Sequence, residues 1–485
     1  MNLSEILNNV DYILLHGGDK NISHISIDSR NIVKDSLFIC ISGFSTDGHS
    51  FINDACEAGA TAIITEKGVM PPVGVTVIKV KESRIALAQI ANNFYNNPGK
   101  NLKLIGATGT NGKTSITFFI QSIIMAYGKK TGIIGTIKTK IDNDSVNIDF
   151  ATSTTPDTIE LMQILSYMAN QKAEYIAMEV TSHALSLYKV ESLKFFVSVF
   201  TNLTQDHLDL HGTMENYRDA KAKLFTQSNY SVINIDDEYG PHMARIATGK
   251  VFSYSIEKQS NIQAKNIRYS PNGSMFNVSV FGSHYPFTLP IPGKFSVYNA
   301  LGAIGVCYVL GIPIPIIQKA LSNLTTVPGR IEKVDNDHNL NIIVDYSHTP
   351  DSLKSIILAV RQFTKGNVII VFGCGGDRDK QKRPIMGQIA SNFGDFIIVT
   401  SDNPRTEDPN QIIEEIVNGV INSNYDVIVD RKDAIYQAIK IANPDDSIII
   451  AGKGHENYQI FKDRTIYFND VEVSKKAVEE LYGRN

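Results

Sequence analysis

The sequence predicts an α/β protein of about three domains. These are a central P-loop mononucleotide-binding domain with a parallel sheet, a C-terminal Rossmann-like parallel-sheet domain and a smaller N-terminal α/β domain. Three observations predict it. The 485 residues exceed what a single hydrophobic core serves. A glycine-rich loop at Gly109–Thr114 lies between an apolar run and a helical segment. In the last third, short apolar runs alternate with helical patterns, as in a parallel sheet covered on both faces. Boundaries are expected at the polar stretch 92–100, which contains Pro98-Gly99, and at the hinge Val327-Pro328-Gly329-Arg330. The expected units are 1–98, 99–326 and 327–485.

In the first unit, the β-branched runs 25–27, 37–41, 61–65 and 75–80 read as strands, and 51–58 as a helix. The second unit opens with a strand at 102–105. Residues 116–126 form an apolar stretch too short to span a bilayer and containing Gln121, so a buried helix is expected. Between Lys250 and Pro290 polar and apolar residues alternate, which suggests an antiparallel edge or subsheet. The third unit shows strands at 342–344, 368–372, 396–399, 427–429 and 448–450, with helices at 353–363, 385–393, 412–420 and 434–441. Ligand groups in such sheets sit beyond the strands' carboxyl ends. Polar clusters fall there, at 345–351, 373–383, 401–405 and 452–456.

The composition is that of an ordinary globular protein, with 43% hydrophobic and 20% charged residues. A net charge of −4 argues against a nucleic-acid-binding surface, though a local basic cleft for a small anion remains compatible with it. Four cysteines, Cys40, Cys56, Cys307 and Cys374, show no CxxC spacing, so neither a zinc site nor a disulfide framework is expected. The first residues lack a basic segment ahead of a long apolar run, so no secretory signal is expected. Together these features suit a soluble cytoplasmic protein without membrane insertion.

The loop Gly109-Thr110-Asn111-Gly112-Lys113-Thr114 has the strand–loop–helix setting that phosphate binding requires. Glycines let successive N–H groups face phosphate oxygens, and the helix N-terminus adds partial positive charge. Lys113 supplies a cation for the β- and γ-phosphates and Thr114 a hydroxyl for Mg²⁺. Ala107 stands where the strict motif has its first glycine. Downstream, Glu179 and His207 follow apolar runs and suit hard-cation ligation near ATP. The same residues also serve as caps and loop hydrogen-bonders, and spacing does not decide between these roles. Lys221, in Tyr217–Phe225, reads from its pattern as part of a solvated helix face.

Taken together, GTNGKT, MEVTSH, TNLTQDHLDLHG, YRDAKAKLF, PGRIE, DYSHTPDSL, GCGGDRDKQKRP, DNPR and GKGHE occur in an order that resembles the Mur ligases of peptidoglycan synthesis over essentially the full length. Within that family the chain looks most similar to members that add a diamino acid to UDP-N-acetylmuramoyl-L-alanyl-D-glutamate. The resemblance implies a reaction in which the γ-carboxylate of D-Glu attacks the γ-phosphate of ATP. The resulting acyl phosphate is then attacked by the amine, and phosphate leaves. It implies Mg²⁺ as cofactor, with Thr114, Glu179, His207 and a carbamylated Lys221 as ligands, and Lys113, Lys221, His207 and Glu179 as catalytic residues. Asn299, Arg330, Asp345 and His348 resemble further ATP contacts.

For the uridine-linked substrate, the resemblance points to Ile27, Ser29, Phe44, Ser45 and Thr46, and to Ser153, Thr154, Thr155, Thr181, Leu187 and Lys189. Lys189 stands where some relatives have arginine, and Leu187 where a polar residue is common. Diaminopimelate recognition is assigned to Arg383, Asp402, Asn403, Pro404, Arg405, Gly452 and Glu456. Arginine at the end of the DNPR loop accompanies the meso-diaminopimelate enzymes, because a guanidinium fork grips the second carboxylate that lysine lacks. Without its neighbours Arg405 would read as a loop arginine paired with Glu407 or Asp408. A monomer is expected, with ATP, the UDP-dipeptide and meso-diaminopimelate as its small-molecule partners. Two other readings are a folylpolyglutamate synthetase-like ligase and a binding protein that uses the P-loop as a switch. The DNPR loop and the uridine-pocket residues argue against the first. The second leaves Glu179, His207 and Lys221 without a purpose.

Overall fold

The computed structural model describes residues 1–43, 46–70, 72–137, 139–146, 154–324, 327–338 and 340–483, without the side chain of Asp209. Among the described residues, three large sheets follow one another along the chain. The first runs, in spatial order, Ile13–His16, Thr76–Lys79, Ala60–Thr65, Ser36–Ile39, His24–Ser26. Only Ile13–His16 is antiparallel to its neighbour. That strand was not expected: it is an edge strand with Ile13 and Leu14 exposed, so it shows no buried stripe to read. The segment expected to be helical from Phe51 starts as a 3₁₀ turn, Gly48–Phe51, and becomes α-helical at Ile52–Glu57.

The second sheet positions the phosphate loop. Lys103–Thr108 lies between Tyr175–Glu179 and Phe195–Phe200, and all three are parallel. In register, Glu179 pairs with Ala107 and Phe200 with Thr108. The segments leaving both neighbouring strands therefore arrive at the same sheet edge as the loop. The helix Lys113–Ala126 begins within its last two residues and buries Ile116, Phe119, Ile120, Ile123 and Ile124. Lys250–Ser255 and Ile262–Ser270 continue the parallel sheet, whereas Gly273–Val280 and Ser283–Leu289 add antiparallel at its far edge.

The third sheet runs Glu332–Lys333, Asn341–Asp345, Ser447–Ala451, Val368–Phe372, Phe396–Val399, Tyr425–Val427. Its strands are parallel except the first. Alternate side chains enter different cores: Ile370 and Phe372 one, Ile369 and Val371 the other. This two-sided burial explains the unbroken apolar runs. The edge strand expected at 427–429 pairs instead at Tyr425–Val427, and Val427 and Val429 are exposed. The helices are Pro350–Arg361, Lys382–Phe393, Pro409–Val417 and Arg431–Ile441, joined by a final helix, Asp470–Tyr482, absent from the sequence-based assignment. The hairpin Tyr458–Ile460 with Thr465–Tyr467 was also not expected. All four cysteines are free thiols. Among the described residues no helix is long and apolar enough to cross a membrane.

Two ion clusters pin the loops of this last unit. The buried guanidinium of Arg431 forms a double bond pair with Asp470, at 2.8 Å to each carboxylate oxygen. Arg383, wholly buried, reaches Glu407 at 2.9 and 3.0 Å and Glu415 at 2.6 Å. Breaking such a pair from one side leaves an uncompensated buried charge. Arg383 is the first cause that holds the Glu407 carboxyl down, from 4.5 to about 2. A depressed carboxylate stabilises the fold fully above its unfolded value and loses that contribution as pH falls through its folded value. Glu407→Gln is therefore expected to lower the thermal midpoint at pH 7 and to flatten stability loss between about 4.5 and about 2. Differential scanning calorimetry across that range checks it, and an acid limb identical to the parent's would contradict the pairing.

Candidate active site

The phosphate loop is bound from both sides. Its Thr110 N–H donates to Asn202 O at 2.9 Å, and the Asn111 N–H to Asn202 Oδ1 at 2.9 Å. Thr201 Oγ1 donates to Asn111 O at 2.7 Å. Both partners leave the carboxyl end of Phe195–Phe200, as the sheet register dictates. Gly112 has φ +87°, and a Cβ there would strike the Asn299 amide. Only glycine lets the buried Asn299 lie against the loop.

Two ammonium groups converge on one carbonyl. Lys113 Nζ donates to Gly109 O at 3.0 Å and to Thr110 O at 2.9 Å, and Lys221 Nζ donates to Gly109 O at 2.9 Å. Burial lowers the Lys113 pKa, against the opposing charges of Glu179 and Asp206. Lys221 is buried on the helix Met214–Thr226, with its ammonium 4.6 Å from the Tyr217 ring centroid. Its pKa lies well below the ordinary lysine value, because of burial first and the Lys113 charge second. The solvated-face reading of Lys221 is thus corrected. The lysine faces inward, a direction that the charged residues around it, Arg218, Asp219 and Lys223, did not reveal.

Thr114 Oγ1 donates to Glu179 Oε2 at 3.1 Å, and the Thr136 N–H donates to Glu179 Oε1 at 2.9 Å. His207 has a left-handed backbone, φ 51°, and stands at the N-cap position of the helix Leu208–His211 without a capping hydrogen bond from its side chain. Its Nε2 lies 3.5 Å from Asp206, and its ring 6.2 Å from that of Tyr217. The Tyr217 hydroxyl in turn lies 3.2 Å from Thr110 Oγ1. Among the described residues no three His, Cys, Asp or Glu side chains group as a metal site. The oxygen pair Thr114–Glu179 is the hard-donor element that the geometry assembles, and it suits Mg²⁺.

A cavity of about 350 Å³ opens beside the loop. Asn111, Gly112, Asn299, Arg330 and Asp345, which the sequence reading assigns to nucleotide contacts, line it. Arg330 Nη2 lies 3.4 Å from Thr114 Oγ1 and its guanidinium stacks 4.8 Å from the Tyr346 ring. Asp345 accepts the Ile331 N–H at 2.8 Å, so its carboxylate holds the turn that presents Arg330. His348 does not line the cavity; its Nδ1 sits 2.8 Å from Tyr346 O. Asp236, Asp237 and Tyr298 line it and were missed. They were findable in part, because Asp236 and Asp237 follow the strand Ser228–Asn234 at its carboxyl end. Burial pushes the Asp237 carboxyl up to about 6.

A second cavity of about 230 Å³ brings Ile27 of the first unit together with Leu187 and Lys189 of the second. Ser29 opens a 3₁₀ turn capped by Asp28, whose carboxylate also binds Arg30 at 2.7 Å. Thr46 accepts the Gly43 N–H at 2.9 Å. Phe44, Ser45 and Ser153 lie outside the described residues. Thr155 Oγ1 donates to Glu179 O at 3.0 Å and to Thr181 Oγ1 at 3.2 Å, and Thr154 Oγ1 lies 2.9 Å from that of Thr136. This polar strip connects the second cavity's side to Glu179. Thr181 also caps the helix Ser182–Ser186. Lys189 Nζ is held by Asp157 at 2.5 Å.

In the last unit, the loop Asp402–Arg405 and the turn Gly452–Glu456 leave parallel strands and meet. Asp402, Asn403 and Pro404 are buried, and Asn403 Nδ2 donates to Glu456 Oε2 at 2.8 Å. Arg405 donates to Gly376 O at 2.8 Å and, among the described residues, forms no ion pair. The alternative partner Glu407 is engaged by Arg383 and, at 3.2 Å, by Lys380. Arg383, expected among the amino-acid contacts, directs its fork at Glu407 and Glu415. It braces the loop that carries Arg405.

Comparison with known proteins fits this geometry. The Mur ligase middle-domain model matches residues 107–307, the Mur ligase glutamate ligase domain model 329–454, and the Mur ligase family catalytic-domain model 21–95. A UDP-N-acetylmuramoyl-L-alanyl-D-glutamate--2,6-diaminopimelate ligase of Clostridium botulinum is 45% identical over 99% of this chain and 100% of its own length. The protein of the same name from Clostridium tetani is 47% identical, with coverage of 99% and 100%. A solved structure of a ligase of that name aligns at a TM-score of 0.70 and 30% identity over 95% of both chains. A Mycobacterium tuberculosis folylpolyglutamate synthase shares the fold at a TM-score of 0.64 and 17% identity, over 83% of this chain and 96% of that one. With full-length relatives at this identity and a phosphate loop, a buried lysine and a DNPR loop arranged as described, the chain belongs to the Mur ligase family.

Proposed function

We propose that this chain is an ATP-dependent amide ligase that joins meso-2,6-diaminopimelate to the D-Glu γ-carboxylate of UDP-N-acetylmuramoyl-L-alanyl-D-glutamate, in peptidoglycan precursor synthesis. The observation that carries the choice of amino acid is the pair of loops at the third sheet's carboxyl edge. There Glu456 offers an anion and Arg405 a guanidinium that forms no ion pair among the described residues. Diaminopimelate ends in an ammonium and a carboxylate, and lysine in an ammonium alone. The Arg405 fork therefore has a partner only in the first.

The chemistry needs a carboxylate to approach a triphosphate, so cations have to offset two anions. Lys113 in the loop and Arg330, 3.4 Å from Thr114, support this reading. In this reading Mg²⁺ would be held by Thr114 and Glu179, with His207 and the Lys221 carbamate as further ligands. When bound it draws charge from the phosphate oxygens. The D-Glu oxygen displaces ADP from the γ-phosphorus. The amine of the incoming amino acid then adds to the acyl carbon, and phosphate departs with that oxygen. Asn299 and the Asp345-held turn receive the nucleotide, with His348 near its rim. The Ile27–Lys189 cavity receives the uridine-linked substrate, and the 154–155 strip leads its peptide end toward Glu179. The charge that Lys189 shares with Asp157 becomes available to a substrate carboxylate. Cytoplasmic location, where ATP and nucleotide-linked precursors reside, and a monomeric state complete the proposal.

A lysine whose ammonium is disfavoured by burial and by Lys113 gives up its proton more readily, and the amine so formed adds to CO₂. Addition gives a carbamate and releases one proton, turning a like-charge conflict beside Lys113 into an attraction. Lys221→Ala is expected to lose activity by about three orders of magnitude, with partial rescue by a short carboxylic acid. Wild-type turnover in that variant would refute the carbamate role. For the overall reaction, ADP release is measured with the UDP-dipeptide and with meso-diaminopimelate, L-lysine or no amino acid. Release is expected to need the dipeptide and to favour diaminopimelate, and Arg405→Ala is expected to erase that preference. Release that ignores the dipeptide would defeat the ligase reading.

A further inference from the structure

Lys453 is fully buried, and nothing in the recognition scheme above uses it. It sits between two glycines in left-handed conformations, Gly452 at φ +117° and Gly454 at φ +53°. A Cβ on Gly452 would stand 2.6 Å from Asp402 Oδ2, and one on Gly454 2.7 Å from Tyr346 Cβ. Gly452 lets the turn press against the Asp402–Arg405 loop and Gly454 lets it press against Tyr346, with the intervening lysine turned inward. There its ammonium lies 3.1 Å from Asn403 Oδ1 and 3.1 Å from Glu456 Oε2, with the Tyr458 ring centroid at 5.4 Å.

These contacts settle the orientation of a neighbour. Lys453 can only donate, and so can the Ile460 N–H, which reaches Asn403 Oδ1 at 3.0 Å. Both require the amide oxygen on their side. The Asn403 NH₂ is thereby turned toward Glu456, to which it donates at 2.8 Å. Lys453 and Asn403 both land on Oε2 of Glu456, and Oε1 takes part in neither bond. The same loop carries Arg405, whose N–H donates to Ile460 O at 3.0 Å and whose Nη1 lies 3.5 Å from Asn403 O. A buried ammonium is costly to keep unless it is well bonded, so apolar packing alone does not explain a lysine here.

We propose that Lys453 is a positioning residue of the diamino-acid pocket: it ties the Asn403 amide and the Glu456 carboxylate into one fixed arrangement that presents Glu456 Oε1 to the substrate's distal ammonium and holds Arg405 in register for the adjoining carboxylate. It acts through Asn403 and Glu456 and touches no reacting atom. The inference rests on the diaminopimelate reading and adds to it the residue that sets the spacing between its two charged contacts.

The test is steady-state kinetics of amide formation by the full chain, with parent, Lys453→Met, Glu456→Gln and the double variant. Diaminopimelate, ATP and the UDP-dipeptide are each varied in turn. Lys453→Met is expected to raise KM for diaminopimelate about tenfold or more while the other two KM values stay within about twofold. In the double variant the combined effect is expected to fall clearly short of the product of the single effects, since both act through one carboxylate. If the methionine variant does not fold, Lys453→Gln, which keeps a donor without the charge, is expected to show the same split. An unchanged KM for diaminopimelate overturns the proposal. So does an equal rise in all three KM values, which marks a purely structural lysine, and so do effects that multiply in the double variant. A parent enzyme that ignores diaminopimelate instead removes the functional reading on which the proposal stands.

Discussion

Two ammonium groups meeting on the carbonyl oxygen of Gly109 set the terms for the rest of this structure. Lys113 and Lys221 lie at 3.0 and 2.9 Å from that atom, one on the loop and one on a helix that follows much later in the chain. Like charges this close are tolerable only with compensation. Glu179 and Asp206 oppose the shift at Lys113, and Asp206 opposes it at Lys221. The parallel register that sets Glu179 beside Ala107 thus also brings an opposing carboxylate to this centre. The third unit joins the same centre through Arg330, which reaches Thr114, and through Asp351, which accepts from Asn111 Nδ2 at 3.0 Å.

The fold was largely legible where burial leaves a pattern. Val368–Phe372 and Ser447–Ala451 are buried on both faces, and their unbroken β-branched runs announce it. The strand Ile13–His16 and the hairpin at Tyr458–Tyr467 pair mainly through backbone bonds and expose much of their side-chain surface, so neither leaves a periodic signature. The edge strand at Tyr425–Val427 is displaced from its expected place for the same reason: its valine at 427 faces solvent.

The site was legible at a coarser grain. Polar residues after strand ends did mark the edge where the candidate-site loops of both large parallel sheets gather, because parallel strands deliver every carboxyl end to one side. Which side chain does what there was harder to see. Arg383 and Arg405 are both arginines in polar loops, yet one is locked between Glu407 and Glu415 and the other is not. Lys221 and Lys223 are two residues apart on one helix, and only the first is nearly inaccessible. Lys453 gave no sign of its burial because the reason lies in its flanking glycines and in a loop fifty residues earlier in the chain. Long-range partners decide these roles, and local composition does not contain them.

The central claim is that the γ-phosphate held over this loop goes to a carboxylate and not to water. Isotope transfer tests it directly. The UDP-dipeptide is labelled with ¹⁸O in the D-Glu γ-carboxylate, and the phosphate released during amide formation is examined by mass spectrometry. If the carboxylate attacks phosphorus and the amine then displaces phosphate, each phosphate released carries one carboxylate oxygen. Unlabelled phosphate, accompanied by amide product, would contradict the acyl-phosphate route and with it the purpose assigned to the Gly109 centre.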